Sequence, residues 1–200
     1  MNDDFYRVVL GRRSVRRYLD RPVPKEILEH ILTAAVWSPS AHNRQPWRFA
    51  VVTAPETRQR LATAMGTRLR ADLTADHAPA DVIEKDVSRS FSRISKSPAL
   101  ILVALSMADM DRYPDEKRSR NEYLMAVQST AMAVQNLLLA AHAEGLGACW
   151  MCAPLFCPDV VSAELSLPTD WQPQALITLG YPAETKTSTR VELETRILWR

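Results

Sequence analysis

The chain has 200 residues, of which 46% are hydrophobic and 24% are charged, and its 25 Lys and Arg residues nearly balance its 23 Asp and Glu residues. Such a composition is that of an ordinary globular protein with one core, so we predict a single domain over residues 1–200. The formal net charge of +2 excludes the broad basic surface that nucleic-acid binding needs, and we expect no nucleic-acid partner.

The run of arginines near the N-terminus indicates an anion site. Arg12, Arg13, Arg16 and Arg17 occupy four of six consecutive positions, and Ser14 lies among them. Forked guanidiniums and a hydroxyl are groups that suit a phosphate dianion. A solvated basic face is the alternative interpretation of such a run. The near-neutral balance of the whole chain favours one phosphate over a nucleic-acid backbone.

A helix and a polar segment follow this run. Apolar residues one helical turn apart predict a helix that opens at residues 23–25 and stops at Ser38-Pro39. Residues 38–47, which we call the polar turn, concentrate hydroxyl and amide groups ahead of Trp47, a predicted core anchor. Taken alone, these groups are typical of a helix-ending turn and a self-satisfied loop.

Short apolar runs predict strands. Residues 49–52, 99–105 and 175–179 are nearly continuous in apolar residues, which indicates strands buried on both faces and helices that flank them. We also interpret residues 67–96 as helical and residues 107–118 as a mobile loop. The pattern therefore predicts an α+β fold with a central mixed sheet of four or five strands.

The longest apolar-rich stretch predicts a helix over residues 121–144, about 35 Å long at about 1.5 Å per residue. Polar residues interrupt it, which favours a buried helix over a membrane span. The first residues are acidic and precede no apolar run, so we expect no secretory signal. We predict a cytoplasmic protein with no membrane partner.

The segment after this helix contains two glycines and three cysteines. Gly145-Leu146-Gly147 fits a helix-ending turn and not a dinucleotide fingerprint, because no helix follows and Trp150 replaces the third glycine. Residues 148–152 are interpreted as a buried strand. Cys149, Cys152 and Cys157 are expected to be small buried residues and not a metal site or a disulfide framework.

These motifs, in this order and spacing, resemble those of the FMN-dependent nitroreductase family. The match comprises the Arg-Arg-Ser-Val-Arg run at 12–16, Pro22-Val23-Pro24, the polar turn, and Gly145-Leu146-Gly147 before a strand. Residues 164–173 and 180–184 are most similar to the nitroreductase-type domain at the C-terminus of the bifunctional enzyme of coenzyme F420 biosynthesis. The resemblance implies a nitroreductase-like fold, with the long helix in the core and at a dimer interface.

The resemblance also implies FMN as the cofactor and gives a set of binding residues. Arg12, Ser14 and Arg16 correspond to phosphate contacts, Arg13 belongs to the same run, and Arg190 is our candidate for a basic residue that closes over the phosphate from the C-terminal tail. The remaining candidates are Pro39, Ser40, Asn43 and Gln45 of the polar turn, Gln128 of the long helix, and Trp150, Met151, Cys152 and Ala153 beside the flavin. In the family the polar turn commonly comes from the second subunit, so we expect a homodimer with FMN at the interface.

The function implied is hydride transfer from NADPH or NADH through the flavin to a nitro, quinone or related acceptor, by ping-pong exchange. No catalytic side chain and no metal are expected, because the flavin carries the chemistry. Two alternatives stay open. The first is a reductase of a deazaflavin precursor, whose anionic acceptor would contact Arg112, Lys117, Arg118 or Arg120. The second is a flavin-storage protein in which the Trp150 region or residues 109–122 cover the flavin. The tail at residues 189–200 either exchanges between subunits or folds on its own subunit.

Overall fold

The computed structural model describes residues 3–200, so Met1 and Asn2 of the predicted N-terminal segment lie outside it. Its sheet consists of β1 Trp47–Val52, β2 Ala99–Leu105, β3 Gly147–Met151 and β4 Gln172–Gly180. The strands lie in the order β1-β2-β4-β3, and every neighbouring pair is antiparallel. The α+β prediction is confirmed, but these four strands form an antiparallel sheet where we predicted a mixed one. Helices on both faces of an antiparallel sheet produce the same apolar strand pattern.

Within residues 3–200, six α-helices surround the sheet. They are α1 Asp3–Gly11, α2 Lys25–Val36, α3 Pro55–Ala75, α4 Ala80–Ser95, α5 Glu116–Ala143 and α6 Pro158–Leu165. The predicted helix after residue 23 is therefore present as α2, and the predicted helical region at 67–96 consists of α3 and α4. Helices α1 and α6 have no counterpart among the predicted elements.

Two hydrophobic layers hold the helices on the sheet. Ile101 and Val103 of β2 pack on one face in a cluster with α2 and α5. Leu100 and Leu102 pack on the other face in a cluster with α3, α4 and α6. Because successive strand side chains point to opposite faces, every residue of β2 is buried. Trp47 is also buried, as predicted.

The long helix α5 begins five residues earlier than the predicted start at residue 121. Asp115 is the reason, because its carboxylate accepts the backbone N–H of Arg118 at 2.9 Å and caps the helix. At the other end, Gly145 has a φ of 75°, and the Leu146 N–H donates to the Ala141 carbonyl at 2.8 Å. This confirms the predicted glycine stop.

By length and composition alone, α5 is apolar enough to cross a membrane. However, 44% of its most apolar window is buried inside the protein, and its buried residues include the polar side chains Glu122, Ser129 and Thr130. It is a core helix, as predicted.

Two of the three cysteines are buried, as predicted, and one is not. Cys149 and Cys157 are buried, whereas Cys152 is exposed. The prediction for Cys152 is wrong because β3 ends at Met151, and Cys152 lies at the start of a 3₁₀ turn over Ala153–Phe156.

The loop between α1 and α2 docks along the edge of the sheet. Ser14 forms a parallel bridge with Ala148 of β3, and the Val15 N–H donates to the Ala148 carbonyl at 3.0 Å. Gly147 makes this approach possible, since a Cβ on Gly147 would lie 2.7 Å from the Cβ of Val15. The arginines on either side of Ser14 and Val15 are thereby fixed beside β3.

Tyr18 fastens the same loop to β4. Its hydroxyl donates to the Val15 carbonyl at 2.6 Å and lies 2.8 Å from the hydroxyl of Thr178. Burial raises the pKa of the Tyr18 phenol above its ordinary value. The folded protein therefore keeps this proton more firmly than the unfolded chain does.

We expect Gly147→Ala to lower the free energy of unfolding by about 1–3 kcal/mol, because the new methyl group collides with Val15. Gly66→Ala in α3 is the matched control, since its Cβ would lie 3.6 Å from Val87. A helical position favours alanine, so this control should be neutral or stabilising by up to about 1 kcal/mol. Urea unfolding of both variants tests the prediction, and equal stability losses would contradict it.

We expect the stability of the protein to fall as pH rises above about 10, where tyrosine ionises in the unfolded chain while buried Tyr18 keeps its proton. The unfolded state then binds fewer protons, and raising the pH favours it. Tyr18→Phe should cost about 1–2 kcal/mol at neutral pH through lost hydrogen bonds. Its melting temperature should decline less steeply in alkali than that of the wild type. Parallel melting curves against pH would rule out this role for Tyr18.

Candidate functional site

Arginines from separate parts of the chain act electrostatically on Cys149 of β3. Burial raises the pKa of the Cys149 thiol, and the charges of Arg16, Arg93 and Arg12 oppose that rise. Arg190 of the C-terminal tail acts in turn on Arg12. We call Arg12, Arg16, Arg93 and Arg190 the arginine cluster. The N-terminal loop supplies two of its members, and α4 and the tail supply one each.

The arginine cluster carries positive charge that neighbouring acids do not neutralise. Burial and then the charges of Arg190 and Arg13 lower the pKa of Arg12. Burial and then Arg16 and Arg89 lower the pKa of Arg93. Within residues 3–200, no carboxylate forms a salt bridge with Arg12, Arg16 or Arg93. A bound dianion would remove this repulsion.

A basic cleft of about 640 Å³ opens beside the cluster, between the N-terminal loop, α4 and residues 183–186. Its cationic lining residues are Arg16, Arg17, Arg89, Arg93, Lys96 and Lys186. Sequence reasoning missed the contribution of α4. The signal was present, because residues 89, 93 and 96 follow the i, i+4, i+7 spacing of one helical face.

Glu184 is the acidic residue that lines this cleft. Its carboxylate accepts a backbone N–H and does not pair with a guanidinium of the arginine cluster. Its Oε1 accepts the backbone N–H of Arg16 at 2.9 Å, while Oε2 lies 3.0 Å from Lys186. The hydrogen bond from Arg16 is the main cause that keeps the pKa of Glu184 below its ordinary value, and Lys186 adds to it. The carboxylate thus fixes the loop and leaves the Arg16 side chain available.

The Arg13 guanidinium is engaged at the end of α1. It donates to the carbonyls of Leu10 and Arg12, the latter at 2.8 Å, and so caps the end of α1. Ser14 is half-buried between Arg13 and Val15. Of the predicted phosphate residues, Arg12, Ser14 and Arg16 therefore share one loop, Arg190 approaches Arg12, and Arg13 serves the helix end.

The polar turn has a strained backbone. His42, Asn43 and Gln45 have φ angles of 50°, 54° and 50°, in the left-handed region that costs a non-glycine residue about 1–2 kcal/mol. The Ser40 hydroxyl accepts the Gln45 N–H at 3.0 Å, and the Ser40 carbonyl accepts the Asn43 N–H at 3.0 Å. The side chains of Asn43 and Gln45 are exposed, as is Pro39.

Within one chain, the structure does not bring the polar turn and the arginine cluster together. The polar turn leads into β1 at one edge of the sheet, whereas the cluster lies beside β3 at the other edge. With two strands between them, these edges are about 14 Å apart at about 4.8 Å per strand.

The other predicted site residues are divided between the two hydrophobic layers and the exposed surface. Trp150 packs in the layer with α2 and α5, and its buried Nε1 has no hydrogen-bond partner among the described residues. Met151 and Ala153 pack in the opposite layer. Cys152 and Gln128 are exposed.

Large apolar side chains are exposed at several places around the chain. Trp37 is 82% exposed at the end of α2, Phe156 is 76% exposed after β3, and Trp199 is 87% exposed in the tail. Residues 185–200 are exposed throughout. The chain itself leaves these side chains uncovered.

Known proteins share both the sequence and the fold described above. An NADH dehydrogenase from Thermus thermophilus is 35% identical, over 96% of this chain and 93% of the relative. A protein from Desulfovibrio desulfuricans, crystallised in complex with FMN, is 27% identical and has a TM-score of 0.76, with 100% of this chain and 98% of that chain covered. A nitroreductase family protein from Clostridium difficile is 26% identical with a TM-score of 0.72, and the same shares are covered.

The family resemblance of the sequence motifs is also confirmed directly. A sequence model of the nitroreductase family matches residues 9–181, which include the N-terminal loop, the polar turn and all four strands. This match spans most of the chain, and the chain therefore belongs to the nitroreductase family.

Proposed function

We propose that this protein is an FMN-dependent NAD(P)H oxidoreductase that works as a homodimer. The arginine cluster is the observation that carries the proposal. The charge of Arg190 lowers the pKa of Arg12 and the charge of Arg16 lowers the pKa of Arg93, after burial in both cases, and neither Arg12 nor Arg93 has a salt-bridged acid within the described part of the chain. One phosphate dianion fits this group of donors, which agrees with the FMN bound to the Desulfovibrio relative.

The role of this chain is to bind and orient the cofactor. When bound, FMN supplies the redox chemistry, taking hydride from NAD(P)H and passing it to an acceptor after the nicotinamide has left. Arg12, Ser14 and Arg16 hold the phosphate, and Glu184 fixes the loop that carries them. Arg93 adds a charge from α4, on the Cys149 side of β3.

The separation of the two half-sites supports the homodimer. The polar turn and the arginine cluster lie at opposite edges of the sheet of one subunit, and we propose that the turn completes the site of the partner. The exposed Trp37, Phe156 and tail residues supply apolar surface for that association. We also propose that Arg190 and the tail at 189–200 pack at this interface.

No observation favours a large anionic acceptor of the deazaflavin type. Arg118 is paired with Asp115, and Arg112 lines a separate cavity near Tyr113 and Asp170. Lys117 and Arg120 do not line the basic cleft. We therefore propose a small nitro or quinone acceptor, and the similarity to the F420 enzyme stays a prediction.

We propose that the protein acts as one domain in the cytoplasm. Both hydrophobic layers share the same sheet, which supports one folding unit. The three cysteines are free thiols, as is usual in a reducing compartment.

We expect the purified protein to show a visible flavin band that bleaches stoichiometrically when NADPH or NADH is added without oxygen. The measurement is an anaerobic absorption titration with each nucleotide. A band that persists with both would favour a flavin-storage role. No band after addition of free FMN would contradict the site.

We expect Arg12→Gln and Arg16→Gln each to raise the FMN dissociation constant roughly 10- to 100-fold, since a hydrogen bond to a charged group contributes about 1.5–3 kcal/mol. Lys85→Gln, an exposed position on α4, is the control and should bind FMN like the wild type. Fluorescence titration of the apoprotein with FMN measures all three. Wild-type affinity in both arginine variants would place the phosphate elsewhere.

A further inference from the structure

We infer that Asp109 and Asp111 are positioning residues that hold the strained polar turn ready for the flavin of the partner subunit. They act through Arg48 and Arg44, with which they form ion pairs. This inference rests on the proposed function, because it assigns a purpose to the side chains that the turn presents.

The backbone of the polar turn needs external support. Three of its four residues from 42 to 45 have positive φ angles, and none of the three is glycine. Residues in such conformations persist only where surrounding contacts over-determine them. The hydrogen bonds within the turn fix the N–H of Gln45 and leave its carbonyl to an outside partner.

Arg48 is that partner. Its Nη1 donates to the carbonyls of Gln45 and Trp47 at 3.2 and 2.9 Å, and its Nη2 donates to Asp109 at 2.7 Å. One carboxylate therefore fixes the guanidinium that holds the strained residue. Arg44, in the middle of the turn, pairs with Asp111, which lies two residues after Asp109 in the loop at 107–115.

Helix α5 anchors the two segments that these ion pairs join. Glu122, a carboxylate only 1% exposed, accepts the Asp111 N–H at 3.1 Å. Further along the same helix, the Ser129 hydroxyl accepts the Ala41 N–H at 3.2 Å and donates to the Met125 carbonyl at 2.7 Å. The turn and the loop at 107–115 are thus two segments tied to one rigid element. The loop predicted to be mobile is held at Asp109 and Asp111.

The ion pairs do not engage the side-chain amides of the turn, of which Gln45 Nε2 donates to the Asn43 carbonyl at 3.4 Å. The network of ion pairs and hydrogen bonds engages the backbone of Gln45 and the side chains of Arg44 and Arg48, while the side-chain amides of Asn43 and Gln45 stay exposed. Groups held in this way bind a ligand without a further loss of backbone entropy. A turn that served only to connect α2 with β1 would not need such an arrangement.

The test compares Asp109→Asn/Asp111→Asn with Glu84→Gln, a control that breaks the Arg70–Glu84 pair between α3 and α4. The control is matched because the arginines of the two ion pairs, Arg44 and Arg70, have the same side-chain exposure of 44%. In the apoprotein, we expect the amides of residues 41–46 to exchange hydrogen about 5- to 30-fold faster in the double variant, and at the wild-type rate in the control. Salt should accelerate this exchange in the wild type and not in the double variant, because salt screens ion pairs.

The second readout is FMN affinity in the full-length protein. We expect the double variant to bind FMN about fivefold more weakly or worse at an unchanged melting temperature. Asp109→Glu/Asp111→Glu, which keeps both charges, should restore binding to within about twofold of the wild type.

Two results would overturn the inference. One is wild-type exchange of the turn amides in the double variant, and the other is a loosened turn with unchanged FMN affinity. Failure of the wild type itself to bind FMN would instead reject the proposed function, and the exchange data would still decide whether the ion pairs hold the turn.

Discussion

Burial of both faces of β2 is the constraint on which the remaining structure depends. Helices cover the sheet on each side, so every side chain of this strand is removed from water. The centre of the sheet is consequently unavailable for chemistry. Polar and charged groups are confined to the edges, where the polar turn leads into β1 and the N-terminal loop docks along β3. This division places the two halves of the candidate site at opposite edges of the sheet.

The polar groups at the two edges of the sheet are stabilised in different ways. At β3, arginines repel one another and have no acidic partner within the described residues, so the site is stabilised when an anion binds. At β1, the strain of three left-handed residues is offset internally by Asp109, Asp111 and α5. One edge thus carries charge that no acid of the described chain neutralises, whereas the other is held by ion pairs and hydrogen bonds within the chain.

Elements whose signals are local were predicted well. β2 was predicted at its observed bounds, and the glycine stop of α5 was found because a left-handed cap favours glycine at one position. Errors arose where a boundary depended on a single polar contact. The Asp115 cap extends α5 by five residues, and the early end of β3 exposes Cys152. Strand direction was also misjudged, because burial on both faces produces the same pattern in parallel and antiparallel sheets.

By itself, the sequence determined the family, the fold class and the local motifs of the site: the Arg12–Ser14–Arg16 run and the polar turn are contiguous, and their spacing carries the information. Only the tertiary structure decided which residues join them. Arg93 acts on Cys149 because α4 packs on that side of the sheet, and the Arg13 guanidinium instead donates to carbonyls at the end of α1. The pairing of Asp109 and Asp111 with the turn likewise depends on chain segments more than sixty residues apart. Charge and hydrogen bonding act through space, and a linear pattern does not record which distant segments packing brings together.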